Sequence, residues 1–173
     1  MAPHFHIETN LQAIAAVACK KEAENEEFIP FLKNFPSEQV DAAVQNLNEA
    51  ITPYIDCRQC GNCCKSLLIN VTDAEAEAVS KHLNIPRSQF NETYIEEGSS
   101  STLLINTIPC PFLKNLSCSI YEHRFQGCKE FPALHIPEFN KRTFTTFMHY
   151  SRCPIIFNVV EHLKIVLKFV NES

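Results

Sequence analysis

The chain is predicted to be mainly α-helical, a small helical domain around an irregular cysteine-rich metal-binding centre, with a minor short β component. Three observations predict this. Apolar residues recur at helical spacing both before residue 55 and after residue 153. Eight of the nine cysteines fall between Cys57 and Cys153. The segment 103–137, which holds three of those eight, has no sustained helical periodicity and reads as mostly irregular chain.

The elements follow in order. Thr9 and Gln12 have capping-box spacing, ahead of a run carrying Leu11, Ile14, Ala15 and Ala18. The acidic patch 22–27 reads as a solvated face, and Pro30 should end or kink that helix. Ser37 opens a second helix with Val40, Val44 and Leu47 on one face, closed by Pro53 near Ile51. The apolar segment 66–71 suits a short strand. Thr72 and Glu75 then cap a third helix reaching about His82. A fourth is expected from Ser88 to about Glu96, followed by a loop over 98–102, with a short helical turn near 121–125. The stretch 142–149 has no clear period. Residues 154–170 are long enough for a final helix, polar along Asn158, Glu161, His162, Lys164 and Lys168, although the β-branched content leaves a strand open. The chain divides into an N-terminal helical segment, 1–56, and a cysteine-cluster metal-binding domain, 57–173, expected to pack together as one unit.

Composition excludes several functions. The 173 residues carry a net charge of −5, against a dedicated nucleic-acid binder with its basic stripe. Thirteen Phe and 45% hydrophobic residues argue for a real core and against disorder. With three glycines, Gly61, Gly98 and Gly127, well separated, neither a dinucleotide-binding turn nor a phosphate loop can be built. No window of roughly 18 or more residues, the length of a membrane span, is free of charge, so no membrane partner is expected. The N terminus lacks the basic and apolar regions of a signal peptide. An odd cysteine count without an export signal points to reduced thiols in the cytoplasm, not to a disulfide framework.

The chemistry is concentrated in Cys57-Arg-Gln-Cys60-Gly-Asn-Cys63-Cys64. Three cysteines three residues apart, with a fourth adjoining, bring several thiols close together on almost any local backbone. Gly61 allows a tight turn that can direct N–H groups at sulfur. Cys110-Pro111, Cys118, Cys128 and Cys153-Pro154 follow. Eight thiolates suffice for two tetrahedral sites, or for one cluster with ligands to spare. Cys19, in an Ala-rich helix, reads instead as a small buried hydrophobe. His4 and His6 near the terminus, and His82 and His162 on helix surfaces, are weak ligand candidates. His123, His135 and His149 lie near cysteines but read as hydrogen-bonding residues. Arg58, Lys65, Lys129 and Arg152, each beside a cysteine, and Arg124, four residues before Cys128, can offset sulfur charge.

The ordered run from Cys57 through Cys64, with Cys110-Pro-Phe-Leu, Cys118-Ser-Ile-Tyr121-Glu-His-Arg124 and Cys128-Lys-Glu-Phe-Pro132, resembles the YkgJ-like CxxCxxCC cysteine-cluster family. The resemblance covers about 57–153 and implies a zinc- or iron-chelating domain. It carries over Cys57, Cys60, Cys63, Cys64, Cys110, Cys118, Cys128 and Cys153 as metal ligands. Where the family has Tyr-x-x-Arg-Pro, this chain has Phe125 after Arg124, a change to the local turn that removes no ligand. The flagellin lysine methylase is similar in its cysteine motif, which implies an iron–sulfur cluster, but its companion methyl-donor site has no counterpart here.

Two functions follow as expectations. Three cysteines in a ladder with a remote Cys-Pro suit a [4Fe–4S] cluster used in redox or substrate chemistry. Its first-choice ligands are Cys57, Cys60 and one of Cys63 and Cys64, closed by a distal cysteine. The alternative is structural zinc, which more often uses two Cys-x-x-Cys knuckles, clamping the chain as a platform for a protein partner. Thiol-based storage or delivery of metal is a third reading. Tyr121, His123 and Arg124 are the polar groups expected beside such a cluster. No nucleophile–base pair is recognisable.

Overall fold

The structure, a computed structural model, describes residues 6–171; His4 lies outside the described residues. The chain begins with helices α1 (Leu11–Lys20), α2 (Glu22–Phe31) and α3 (Ser37–Ile51). A single turn, α4 (Cys57–Cys60), precedes strand β1 (Asn70–Val71), helices α5 (Asp73–His82) and α6 (Arg87–Tyr94), and strands β2 (Ile95–Glu97) and β3 (Leu103–Ile105). Strands β4 (Leu113–Lys114) and β5 (Ser117–Cys118) follow, then helices α7 (Gln126–Glu130), α8 (Thr143–Met148) and α9 (Pro154–Val166). The protein is thus mainly α with a minor, short-stranded β component. No helix among the described residues is long and apolar enough to cross a membrane.

These elements form two compact units. One combines the chain up to Asp56 with everything from Pro132 onward; the other is Cys57–Phe131.

In the first unit α3 packs on α9. Val40, Val44, Leu47 and Ile51 are the buried positions of α3, and the helix runs from Ser37 to Ile51 as its periodicity predicts. Helix α9 starts with Pro154 at its first turn, where a missing N–H costs nothing. Ile155, Ile156, Val159 and Val160 are all buried in it. Burying each such side chain is worth about 1.5–3 kcal/mol, well above a helix-propensity deficit of at most about 0.7 kcal/mol. Packing therefore decides for helix over the strand that β-branching left open.

Several local expectations are corrected here. Asn10, not Thr9, caps α1, its side chain accepting from the Gln12 and Ala13 N–H groups at 2.9 and 3.1 Å. The helix breaks at Lys21, so α1 and α2 are separate. Pro30, by contrast, stands where expected, one residue before α2 ends and passes into a 3-10 turn over Leu32–Asn34. Residues 143–148, without a clear period, are helical.

The acidic patch is not uniformly solvated. Glu22 and Glu26 are exposed, but Asn25 is buried and Glu24 turns inward to Lys164. Lys164 is only 5% exposed, and its Nζ donates to Glu24, Asn25 and Glu161 at 2.7, 2.6 and 2.7 Å. Lys21 also pairs with Glu161, and the Tyr150 hydroxyl donates to it at 2.7 Å. Burial pushes the Glu161 carboxyl up, but the bonds from Lys164, Lys21 and Tyr150 outweigh it and hold the group below the ordinary carboxylate range. A depressed folded value means this stabilisation is present above the ordinary Glu value of about 4.3 and is lost as pH falls through the lower folded one. The melting temperature, followed by circular dichroism, is therefore expected to drop as pH falls below about 4, and Glu161→Gln to flatten that drop. An unchanged profile in the variant would exclude Glu161 as its source.

The second unit is built on a three-stranded antiparallel sheet of order β1-β3-β2, with Val71 opposite Leu103 and Ile95 opposite Ile105. Ile69, Val71, Ala76, Val79, Phe90, Ile105, Phe112, Ile120 and Phe125 form its core. Thr72 and Glu75 make the expected reciprocal capping box, and α5 ends at His82. Helix α6 stops at Tyr94, and Ile95 and Glu96, expected as its tail, belong to β2. The segment from 103, expected to be mostly irregular, supplies β3, the β4–β5 hairpin and α7. The hairpin turns through Asn115 and Leu116, both at positive φ (49° and 67°), as a two-residue turn of the I′ kind requires.

Candidate metal centre

Helix α4 carries Cys57 and Cys60, and its end is turned by Gly61, whose φ is +56° and whose N–H donates to the Cys57 carbonyl at 3.2 Å. Cys63 and Cys64 then begin a 3-10 turn ending at Lys65. A Cβ on Gly61 would lie 2.6 Å from the Leu116 carbonyl oxygen, so the glycine lets the motif lie directly against the hairpin turn. The Cys110 N–H donates to the Cys64 carbonyl at 2.8 Å, joining the motif to Cys110-Pro111. Cys118 closes the hairpin opposite Leu113, and Cys128 sits in α7.

The sulfur atoms receive backbone donors. The Cys110 sulfur takes N–H groups from Phe112 and Leu113, and the Cys118 sulfur takes one from Ile120. An N–H directed at sulfur stabilises the thiolate over the thiol. The Cys63 thiol donates to the Cys64 sulfur, which raises Cys63 strongly, with burial adding to it, and lowers Cys64. Burial raises Cys110 and Cys118, and pushes Cys128 up to about 12. Electrostatic repulsion links Cys63, Cys64, Cys110, Cys118 and Cys128, so these five form one neighbourhood. Arg124 opposes that repulsion at Cys118 and Cys128. Its guanidinium lies 4.1 Å from the centre of the Tyr121 ring, with Arg58 at 5.7 Å from the same ring.

The family model CxxCxxCC, described as a "putative zinc- or iron-chelating domain", matches residues 56–151. The chain belongs to this family. No curated protein and no solved structure matches the chain. Membership supports metal binding by cysteines, and zinc or iron agrees with the cofactors expected from sequence.

Seven of the eight expected CxxCxxCC ligands belong to the second unit: Cys57, Cys60, Cys63, Cys64, Cys110, Cys118 and Cys128. Cys57 is exposed, and the other six are half-buried. Cys153 belongs to the first unit, buried just ahead of α9 and beyond the end of the CxxCxxCC match. Among the described residues no three Cys, His, Asp or Glu side chains stand in metal-holding geometry. The donor set nonetheless suits a thiophilic metal, because thiols, N–H groups aimed at sulfur and an arginine meet in one place.

Cys19 is exposed, which corrects its reading as a buried hydrophobe. In α1 the inward positions are Ile14 and Ala18, and the next residue is rotated off that face. Sequence reasoning missed the contact of His82 with His123, whose tilted rings have centres 4.0 Å apart. Their separation along the chain left no local signal. His162, expected on a helix surface, reaches the His6 carbonyl at 3.2 Å.

Proposed function

We propose that this CxxCxxCC protein holds an iron–sulfur cluster on its cysteines and uses it in redox or substrate chemistry. The observation that supports this best is the shared neighbourhood of Cys63, Cys64, Cys110, Cys118 and Cys128, with backbone N–H groups directed at the Cys110 and Cys118 sulfurs. Hydrogen bonds to sulfur and nearby charge set the potential of such clusters. Arg124 is the positive charge of this set. In this reading Cys57, Cys60, Cys63, Cys64, Cys110, Cys118, Cys128 and Cys153 are the ligands, and the four beyond one cluster serve a second metal site or redox chemistry. The thiols are kept reduced in the cytoplasm, and the partner is a protein or substrate approaching the cluster.

Structural zinc is the second reading. It is favoured by strands of two residues at Asn70–Val71, Leu113–Lys114 and Ser117–Cys118, which a tetrathiolate clamp would stabilise.

Anaerobic purification followed by elemental analysis and an absorption spectrum on one sample tests both. About four irons per chain with labile sulfide and a broad band near about 400 nm is the result expected for a cluster. One or two zinc atoms and no colour would replace the cluster by a structural clamp. A stable, metal-free protein would overturn both.

A further inference from the structure

Strand β1 is an edge of its sheet, since β3 pairs with it on one side and the sheet order is β1-β3-β2. The Ile105 N–H donates to the Ile69 carbonyl at 3.0 Å, and the register continues through Asn70 opposite Leu104 and Val71 opposite Leu103. In an antiparallel ladder hydrogen-bonded and non-hydrogen-bonded pairs alternate. Ile69 and Val71 therefore face β3 with their backbone groups, and the Asn70 N–H and C=O point away from it. Burial alternates in step: Leu68, Asn70 and Thr72 are exposed, while Ile69 and Val71 are buried.

An open cleft of about 670 Å³ lies against β1 and extends past its end to Ser101, Thr102 and Leu103, the partner of Val71 in β3. Residues 67–73 of the strand segment form one wall, and Gln126, Gly127 and Glu130 of α7 contribute another. Leu68, 59% exposed, provides an apolar contact at its rim. A Cβ on Gly127 would meet nothing within 4 Å, so the cleft is open there down to the backbone. Among the described residues, the charged ones lining it are Asp73, Glu75 and Glu130, with no Lys or Arg. Arg87, outside the lining, pairs with Asp73 at 2.8 Å, and Lys129 acts on Glu75 from outside. Glu130 accepts one bond, from the Gln126 amide at 2.9 Å.

We infer that this cleft takes an extended, basic peptide segment of a partner protein, added to the sheet beside β1. Main-chain bonds to Asn70 supply affinity, as in other strand-addition complexes, and alternate side chains reach Leu68 and the carboxylates. Charge selects this occupant over a second copy. Two copies of a chain with net charge −5 would bring two carboxylate-lined clefts together. The inference stands on the cleft alone, which no cysteine lines, so it survives or fails apart from the metal assignment.

The test is fluorescence anisotropy with a labelled peptide of about six alternating Val and Lys residues, beside an analogue with Glu for Lys. The Lys peptide is expected to bind at least about tenfold more tightly than the Glu peptide, and to weaken as salt is raised. Asn70→Pro removes the outward N–H and leaves the bonds to β3, while Gly127→Trp fills the cleft. Each is expected to weaken binding at least about tenfold, and Lys81→Trp, on the outer surface of α5, to leave it unchanged. Should Asn70→Pro fail to fold, Gly127→Trp and Glu130→Lys decide. Absence of binding, equal binding of the Glu peptide, or full affinity in folded Gly127→Trp and Glu130→Lys overturns the inference. So does a homodimer, seen by sedimentation, that Gly127→Trp dissolves.

Discussion

Replacing Cys110 by serine is expected to remove most of the bound metal and to lower the melting temperature sharply. Cys110 joins the motif to the rest of the second unit, through its N–H on the Cys64 carbonyl at 2.8 Å and its sulfur beneath the Phe112 and Leu113 N–H groups. A hydroxyl in its place is a hard, weakly acidic ligand that cannot replace a thiolate at zinc or iron. Structural metal sites contribute folding energy directly, so a lost ligand appears as lost stability. A loss of about 2 kcal/mol would lower the midpoint of a domain of this size by roughly 10 °C. Cys60→Ser should do the same, and Cys19→Ala, at an exposed position in the first unit, should change neither reading. Metal per chain and calorimetry on the three variants check this. Wild-type metal content in Cys110→Ser would remove Cys110 from the ligand set.

What the sequence discloses and what it conceals divide along the range of the interactions. Helix α3, the Thr72–Glu75 cap and the Cys57–Cys64 motif are encoded within a few residues each, and all were legible. The β4–β5 hairpin was not, because its turn uses Asn115-Leu116 without the glycine that usually marks two positive φ values. Nor was the inward turn of Lys164, since a lysine becomes tolerable in a core only when Glu24, Asn25 and Glu161 arrive from other turns and another helix to satisfy it. For the candidate site, spacing made the first four cysteines a motif. The approach of Cys110, Cys118 and Cys128 to Cys63 and Cys64 depends on the β4–β5 hairpin and on long-range bonds, such as that from the Gln126 N–H to the Glu75 carboxylate, that bring distant chain together. The family resemblance carried those three residues where spacing did not.

That dependence makes Gly61→Ala the second large effect. At φ +56° an alanine already costs about 1–2 kcal/mol. Its methyl would also stand 2.6 Å from the Leu116 carbonyl oxygen and 3.1 Å from the Leu116 carbonyl carbon and Cα, backbone atoms with no rotamer to move away. Relief requires either the Cys57–Cys60 turn to shift or the hairpin to withdraw. The hairpin is already constrained by Asn115 and Leu116 at positive φ and carries Cys118 two residues further on. Either movement separates Cys57 and Cys60 from Cys118. The expected result is a loss of about 3 kcal/mol or more in urea unfolding, with metal per chain reduced in the same preparation. Gly127→Ala supplies the contrast. That glycine lies in α7 with open space at its Cβ position, and the helix should gain a fraction of the roughly 1 kcal/mol that separates Gly from Ala. If Gly61→Ala keeps both stability and metal, the close approach of the motif to the hairpin turn is not what positions its cysteines. If it loses metal while Gly127→Ala keeps it, the steric fit at Leu116, and not glycine content in general, holds the first cysteines in place.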